Sequence, residues 1–547
     1  MGDSANSTDK LASDVAAFAD RYLGKPQVPR SSKVVHDALW GTQRLHKHEV
    51  ALVDTPLFQR LRRLHQTGFS YLTYPSTTHT RFEHSLGVLY QTDKLARALH
   101  DKYFTMGEVV SLDRIRQLRV AALLHDCSHG PFSHTSEEVY STFPEMQKLI
   151  GPRRLGFEGS SASEVLAYFI LNSEPFKQFL EKLKEHAALD LDPSWLSGVI
   201  LGSLKNSDPL NAHYAEILNG PFDADKLDYI FRDGHYRGLP LGVDLDRLWL
   251  ATEVHIIKPE DVPGFPRPMR RLVMARSGIN SLEQIFSARM NLTASLYHHH
   301  KIRACDCMLK AVFLYCKENG VELCGRRIET AADFLHFTDV GILAEAERAT
   351  DDNVREMLSN IVNRRLFKRA LVISMNGFER PGSEEDDSEG KEKYNLVHEL
   401  IGTTLDEQRK LAVEIWEAAG KPGRMEEVWL DFPKGVKSKD LATTFVNVGH
   451  MDSPVFRTLE KFIPIEQWTK QYLLQKWRGH VFCKPEHVPK ISPAARDVLG
   501  SKYRIQFNEY AFTPVQAGPV TPAVSGSKQN PMLPRPKRKI NRKRKRQ

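Results

Sequence analysis

Residues 118–126 read LRVAALLHD, an apolar helical run that closes on an adjacent histidine and aspartate, His125 and Asp126. A carboxylate at the end of such a run costs several kcal/mol to bury unpaired, so any fold that uses the helix must bring a cation or strong donors to it. Two further residues are candidates to share that position, His84 in TRFEHSLGV and Asp225 in FDADKLDYIFRD. Two imidazoles and two carboxylates make a mixed nitrogen and oxygen donor set, suited to a divalent ion. Iron, manganese, zinc, nickel and magnesium all stay open, because the sequence does not choose among them.

Other polar groups surround this set. His129 and His134 follow within SHGPFSH, where Gly130 and Pro131 should end the helix and turn the chain so that both imidazoles face a ligand beside the ion. Asp225, Tyr229 and Asp233 recur every four residues and form one helical stripe, with Leu227, Ile230 and Phe231 on the other side. A solvated polar face on an ordinary amphipathic helix is the competing reading of that stripe. The run HHH at 298–300 invites a metal assignment, but consecutive helical residues point in different directions. A helix end with one histidine reaching the site is the better expectation.

From about residue 33 to 310 helical patterning dominates, with Phe82, Leu86, Leu89 and Ala96 on one repeat. Strand-like runs are few and late, RRLVMAR at 270–276 and ALVIS at 370–374. The fold class expected is mainly α, a helical core with a smaller mixed α/β C-terminal region. The expected divisions are a flexible arm at 1–32, the core at 33–330, a mixed region at 331–511 holding an acidic loop at 379–393, and a disordered basic tail at 512–547.

The net charge of +8 resides in that tail: nine of the 76 basic residues fall within 535–546, leaving 67 against 68 acidic residues elsewhere. The body is neutral, which argues against a body-wide nucleic-acid surface. No stretch approaches the roughly 18 apolar residues of a membrane span. Six scattered cysteines form no disulfide framework, so an intracellular, cytoplasmic setting is expected. The tail RPKRKINRKRKRQ suits nucleic acid through phosphate neutralisation, a nuclear address, or simple solubility.

The order H…HD…D, in TRFEHSLGV, LLHDCSHGPFSH and DADKLDYIFRD, resembles the HD-domain phosphohydrolases, and within them the branch of deoxynucleoside triphosphate triphosphohydrolases that carry a sterile-alpha-motif domain. The similarity extends to DTPLFQRLRRLHQTGFSYLTYPSTTHTRFEHSLGV at 54–88 and ARMNLTASLYHHHK at 288–301, covering roughly residues 34–310. The 30-odd residues before it are too few for a sterile-alpha-motif domain. The resemblance implies an HD-domain helical core and a metal-dependent phosphohydrolase that cleaves deoxynucleoside triphosphates to deoxynucleoside and triphosphate. It implies His84, His125, Asp126 and Asp225 as metal ligands, and Arg81, His129 and His134 on the phosphates with His134 nearest the α-phosphorus. Gln66, Tyr229 and Asp233 fall where the family reads the deoxyribose 3′-hydroxyl, Lys226 and Arg289 where it holds phosphate charge, and Tyr297 near the sugar. Asp54, Gln59 and Arg62 match positions that recognise a guanine activator, although that segment can equally serve to pack helices. A homo-oligomer is implied as well.

The resemblance breaks at one place. Where the family pairs a histidine with an aspartate to protonate the leaving group, this chain has Ser163 and Glu137. Serine does not donate a proton near neutral pH as imidazolium does. Proton transfer then falls to water, His129 or Glu137. Two other functions therefore stay open: an HD phosphodiesterase or nuclease recruited to nucleic acid by the basic tail, and a nucleotide-sensing protein with weak catalysis.

Overall fold

The apolar run of 118–126 forms the end of a helix, Leu112–Leu124, whose N-cap Ser111 accepts the amide of Arg114. Every residue from Leu118 to Leu124 is buried. This helix packs against Arg81–Tyr103, opened by a capping box between Thr80 and Glu83. A third helix, Ala224–Arg237, also packs against Arg81–Tyr103. Asp223 caps its N-terminus, and Gly238, at φ 79°, closes its C-terminus in the left-handed region. These three helices carry the four expected ligands.

The computed structural model describes residues 2–512 apart from 105–108, 151–156, 158, 188, 263–264, 380–386, 437–440 and 442–443. The basic tail from 513 onward and residues 380–386 of the acidic stretch thus lie outside the described residues. Helices dominate, and the sheets are small. Lys33–Asp37 and Gly41–Leu45 form an antiparallel hairpin. A four-stranded sheet runs in the order Thr252–Ile257, Met269–Ala275, Phe445–Asn447, Phe456–Thr458, with its middle pair parallel. In a three-stranded antiparallel sheet, Gly479–Cys483 lies between Lys368–Ile373 and Val428–Asp431. The strand-like runs at 270–276 and 370–374 fall in Met269–Ala275 and Lys368–Ile373.

Three sequence expectations are corrected. The arm at 1–32 is not free: Gly2–Leu23 is a helix, and Leu11, Val15, Phe18, Ala19 and Leu23 are buried along one face of it. The boundary at 330 does not divide the fold, because Val273 pairs with Phe445 across it and one apolar core runs from Leu11 to Ala511. Residues 387–393, assigned to an acidic loop, begin the helix Asp387–Gly402, held in place by buried Leu396, Val397 and Leu400 further along. Among the described residues no helix is long and apolar enough to cross a membrane.

Candidate metal centre and active site

His84 projects from the first turn of Arg81–Tyr103, His125 and Asp126 end Leu112–Leu124, and Asp225 opens Ala224–Arg237. Their tips converge. His125 Nε2 lies 3.3 Å from His84 Nε2. Asp225 Oδ1 lies 3.0 Å from His84 Nε2 and 3.9 Å from His125 Nε2. Asp126 presents one oxygen 3.5 Å from each imidazole. Ligand atoms of His84, His125 and Asp126 all fall within 4.8 Å of one another.

The tautomers explain why this cluster fits a cation. His125 Nδ1 lies 2.7 Å from the Ala122 carbonyl, which can only accept, and His84 Nδ1 lies 2.8 Å from Asp228 Oδ2. Each Nδ1 therefore carries a proton, which leaves Nε2 of each ring as the nitrogen that faces the other ring and the two carboxylates, where a proton or a cation can sit. Burial opposes charge on His84, yet its hydrogen bonds to Asp225 and Asp228 push its pKa up to about 10. That is the response of an imidazole among acids that need a positive charge between them.

Asp228 is the residue the sequence reading missed. It is fully buried. Its Oδ2 accepts from His84 and from Arg232 Nε at 2.9 Å, and its Oδ1 from Arg232 Nη2 at 3.0 Å and Trp40 Nε1 at 2.5 Å. Burial works against this carboxylate, but the Arg232 guanidinium holds it far below the usual carboxylate range. Arg232 also pairs with Asp37 at 3.0 Å. The hairpin of residues 33–45 thus braces the back of the site. Gly87 makes the approach fit, since a Cβ there would collide with the Asp228 carboxylate and Arg232. The flank of Ala224–Arg237 next to the Asp225 stripe therefore buries an ion pair, while Leu227 and Ile230 are buried on the apolar side. Its local signal was weak: an aspartate three residues after Asp225, with Arg232 four residues on.

Beyond Asp126 the chain turns at Gly130 and Pro131. His129 stays buried with Nε2 3.2 Å from Asp126 Oδ1, and burial with the nearby Arg81 charge lowers its pKa to about 4. Its Nδ1 has no protein partner. His134 opens the helix His134–Tyr140 with an exposed ring, and its Nδ1 lies 2.8 Å from Glu137 Oε2. Glu137 Oε1 accepts from the Ser163 amide at 3.0 Å and hydroxyl at 2.8 Å. Despite burial, the His134 contact and these donors keep Glu137 well below the usual carboxylate range. Ser163 and Glu137 thus meet as the sequence alignment implied, but the second oxygen of Glu137 is given to His134.

The expected substrate groups divide. Gln66 keeps a buried Oε1 without a protein partner, and Arg81 keeps a buried, unpartnered Nη2. The rest of the Arg81 guanidinium is engaged, Nη1 on Asp126 and Nε on Ser133 Oγ at 2.9 Å. Tyr229 lies on the Asp225 stripe. Burial raises the phenols of Tyr229 and Tyr297, and the charge of Arg289 counters that rise in both. Asp233 is not open: His79 Nε2 lies 2.7 Å from Oδ1, and Tyr297 donates to Oδ2 at 2.6 Å. Lys226 does not reach outward either, because its ammonium binds Asp223 and the Gly220 carbonyl at the start of its own helix. Of the HHH run, His298 meets Tyr472 at 3.2 Å and His299 caps His300–Asn319; none joins the metal cluster. Asp54 pairs with Lys33 at 3.0 Å, and Arg62 donates to Gln59 at 2.8 Å.

Comparison with known proteins agrees with this geometry. Residues 81–194 match the HD domain, and residues 268–508 match the HD associated region. An uncharacterized protein of Methanocaldococcus jannaschii is 24% identical over 464 residues, 84% of this chain and 81% of that protein. The deoxynucleoside triphosphate triphosphohydrolase SAMHD1 of Homo sapiens is 29% identical over 364 residues, 61% of this chain and 54% of that protein. A homolog of SAMHD1 in Dictyostelium discoideum is 26% identical over 346 residues, covering 62% and 60%. The chain thus spans little more than half the length of these triphosphohydrolases. With the H…HD…D residues gathered at one point and both family regions matched in order, the chain carries an HD domain followed by an HD associated region.

Proposed function

We propose that this protein is a metal-dependent phosphohydrolase that cleaves deoxynucleoside triphosphates at the α-phosphorus, releasing deoxynucleoside and triphosphate. The observation that carries the reading is Asp225 Oδ1 at 3.0 Å from His84 Nε2, which completes a four-residue donor set from three helices. A divalent ion held by His84, His125, Asp126 and Asp225 would supply a Lewis acid beside the phosphorus.

The chain's own groups divide the remaining work. Arg81 Nη2, buried and without a protein partner, is a donor for phosphate oxygens, and His129, whose buried Nδ1 likewise has no protein partner, joins it when that nitrogen takes up a proton. The His134–Glu137 pair supplies the proton that the family draws from its histidine–aspartate pair. Glu137 stays ionised, orients the ring through Nδ1, and leaves Nε2 for the leaving oxygen. Ser163 is then not a proton donor but the group that fixes Glu137. Gln66, Tyr229, Asp233 and Tyr297 bind the sugar, Asp233 doing so once Tyr297 or His79 yields an oxygen. Arg289 neutralises phosphate charge, as does Lys226 after leaving Asp223. Assembly into a homo-oligomer, a cytoplasmic setting and recruitment to nucleic acid by the basic tail belong to the same proposal.

Product analysis tests it. The purified protein is incubated with each of the four deoxynucleoside triphosphates and with single-stranded DNA and RNA, with metals assayed on the same preparation. Free inorganic triphosphate supports the reading. Shortened polymer chains would assign a phosphodiesterase, and tight nucleotide binding without hydrolysis under any divalent metal would assign a sensor.

A further inference from the structure

Asp339 begins the helix Asp339–Arg348 in the HD associated region, more than 200 residues after the His125–Asp126 pair. Its side chain is wholly buried, and both oxygens point at loops of the catalytic half. Oδ1 accepts the amide of Phe132 at 2.7 Å. Oδ2 accepts the amide of His65 at 2.8 Å and lies 2.7 Å from His65 Nδ1. A buried carboxylate thus takes donors from two separate segments, with no arginine or lysine among them.

What it holds is unusual backbone. Phe132 and Ser133, neither of them glycine, both have φ of 54°. Each such residue costs on the order of 1 kcal/mol or more and persists only where its surroundings enforce it. The enforcing contacts are the Asp339 bond to the Phe132 amide and the stacking of the Phe132 ring on Phe69 at 4.2 Å. The turn then delivers Ser133, whose hydroxyl donates to the His65 carbonyl at 2.7 Å and accepts from Arg81 Nε at 2.9 Å. Arg81 pairs with Asp126, and the next residue along the turn is His134.

We propose that Asp339 is a positioning residue for the reaction. Its buried carboxylate clamps the Phe132–Ser133 turn in the left-handed conformation, and so sets where Arg81 meets Asp126 and where His134 meets the substrate. The inference rests on the phosphohydrolase reading above, and it gives the HD associated region a part in the site.

The test uses the full chain loaded with metal. Asp339→Asn keeps the shape but replaces one acceptor by a donor facing N–H groups. Amide hydrogen exchange across residues 129–136 should quicken at least about tenfold, and kcat should fall by about ten- to a hundredfold, the scale of a small misplacement of reacting groups. KM and bound metal should change less than about threefold, because no ligand or phosphate donor is removed. Asp333→Asn is the control, a nearby carboxylate that accepts only the amides of Glu329 and Thr330 and an Arg326 bond; it should leave exchange in the turn unchanged. Ser133→Gly tolerates φ 54° but cuts the link to Arg81, so it should lower kcat without quickening exchange. Unchanged exchange in Asp339→Asn, or full kcat in a folded Ser133→Gly, overturns the proposal. If the unaltered protein hydrolyses no deoxynucleoside triphosphate, the functional reading fails, while exchange in the turn still decides the role of Asp339.

Discussion

Asp228 accepts a hydrogen bond from His84 Nδ1 at 2.8 Å across 144 residues of sequence, and it does so from complete burial. The bond fixes which imidazole nitrogen faces the ligand cluster. Partners of this kind raise the basicity of the ligand and hold its ring, and their loss typically costs 10- to 100-fold in metal affinity. Asp228→Asn should therefore weaken metal binding by about 10- to 100-fold. A chelator competition titration reads this directly, and an unaltered dissociation constant would remove Asp228 from the site.

Gly87 faces the same carboxylate, and a methyl group there would come closer than the 3.0 Å that real Cβ contacts respect. Overpacking of this kind costs typically about 1–3 kcal/mol. Gly87→Ala should lower Tm and, because Asp228 must move, weaken metal binding in the same variant. Loss of stability with metal affinity intact would separate Gly87 from His84.

The His134–Glu137 contact yields a kinetic expectation. Glu137→Gln retains the hydrogen-bonding shape toward Ser163 but withdraws the negative charge beside His134. Positioned acid catalysis contributes about 10²- to 10⁴-fold. Steady-state turnover of a deoxynucleoside triphosphate should fall by at least about a hundredfold with metal content unchanged. A variant within threefold of the parent would assign the proton to another group.

Acid should destabilise the fold through histidines outside the metal centre. Burial lowers the pKa of His213 to about 3 and that of His48 to about 4, from 6.5. The unfolded chain therefore binds their protons more readily, so their contribution is complete above pH 6.5 and is lost as pH falls toward 4. At pH 5 each costs about 2 kcal/mol relative to neutral pH. Replacing both by Gln should reduce the fall in Tm between pH 6.5 and 5, and a slope equal to the parent's would show that these rings do not titrate on unfolding.

The chemistry of the centre was legible because it is local. An apolar helix ending in His125 and Asp126 demands a cation or strong donors, and the motifs around His84 and Asp225 carry their own helical periodicity. The mainly helical class and the strands Met269–Ala275 and Lys368–Ile373 were legible for the same reason: each rests on a short-range pattern of apolar residues. The helix Gly2–Leu23 carried such a pattern too, with Leu11, Val15, Phe18, Ala19 and Leu23 on one face, but polar residues between them masked it.

Asp228 and Asp339 were not legible. In the sequence each is one more aspartate in a helix, for which the default expectation is a solvated surface. What makes them buried anions is the set of donors they meet: Trp40, His84 and Arg232 for one, His65 and Phe132 for the other. Most of those donors come from distant stretches of the chain. The amino-acid order by itself pointed to a set of imidazoles and carboxylates suited to an ion. Only the packed structure decided which nitrogen of His84 faces it, which turn carries His134 and which buried acids hold both, because the free energy of a buried charge depends on partners that adjacency along the chain does not specify.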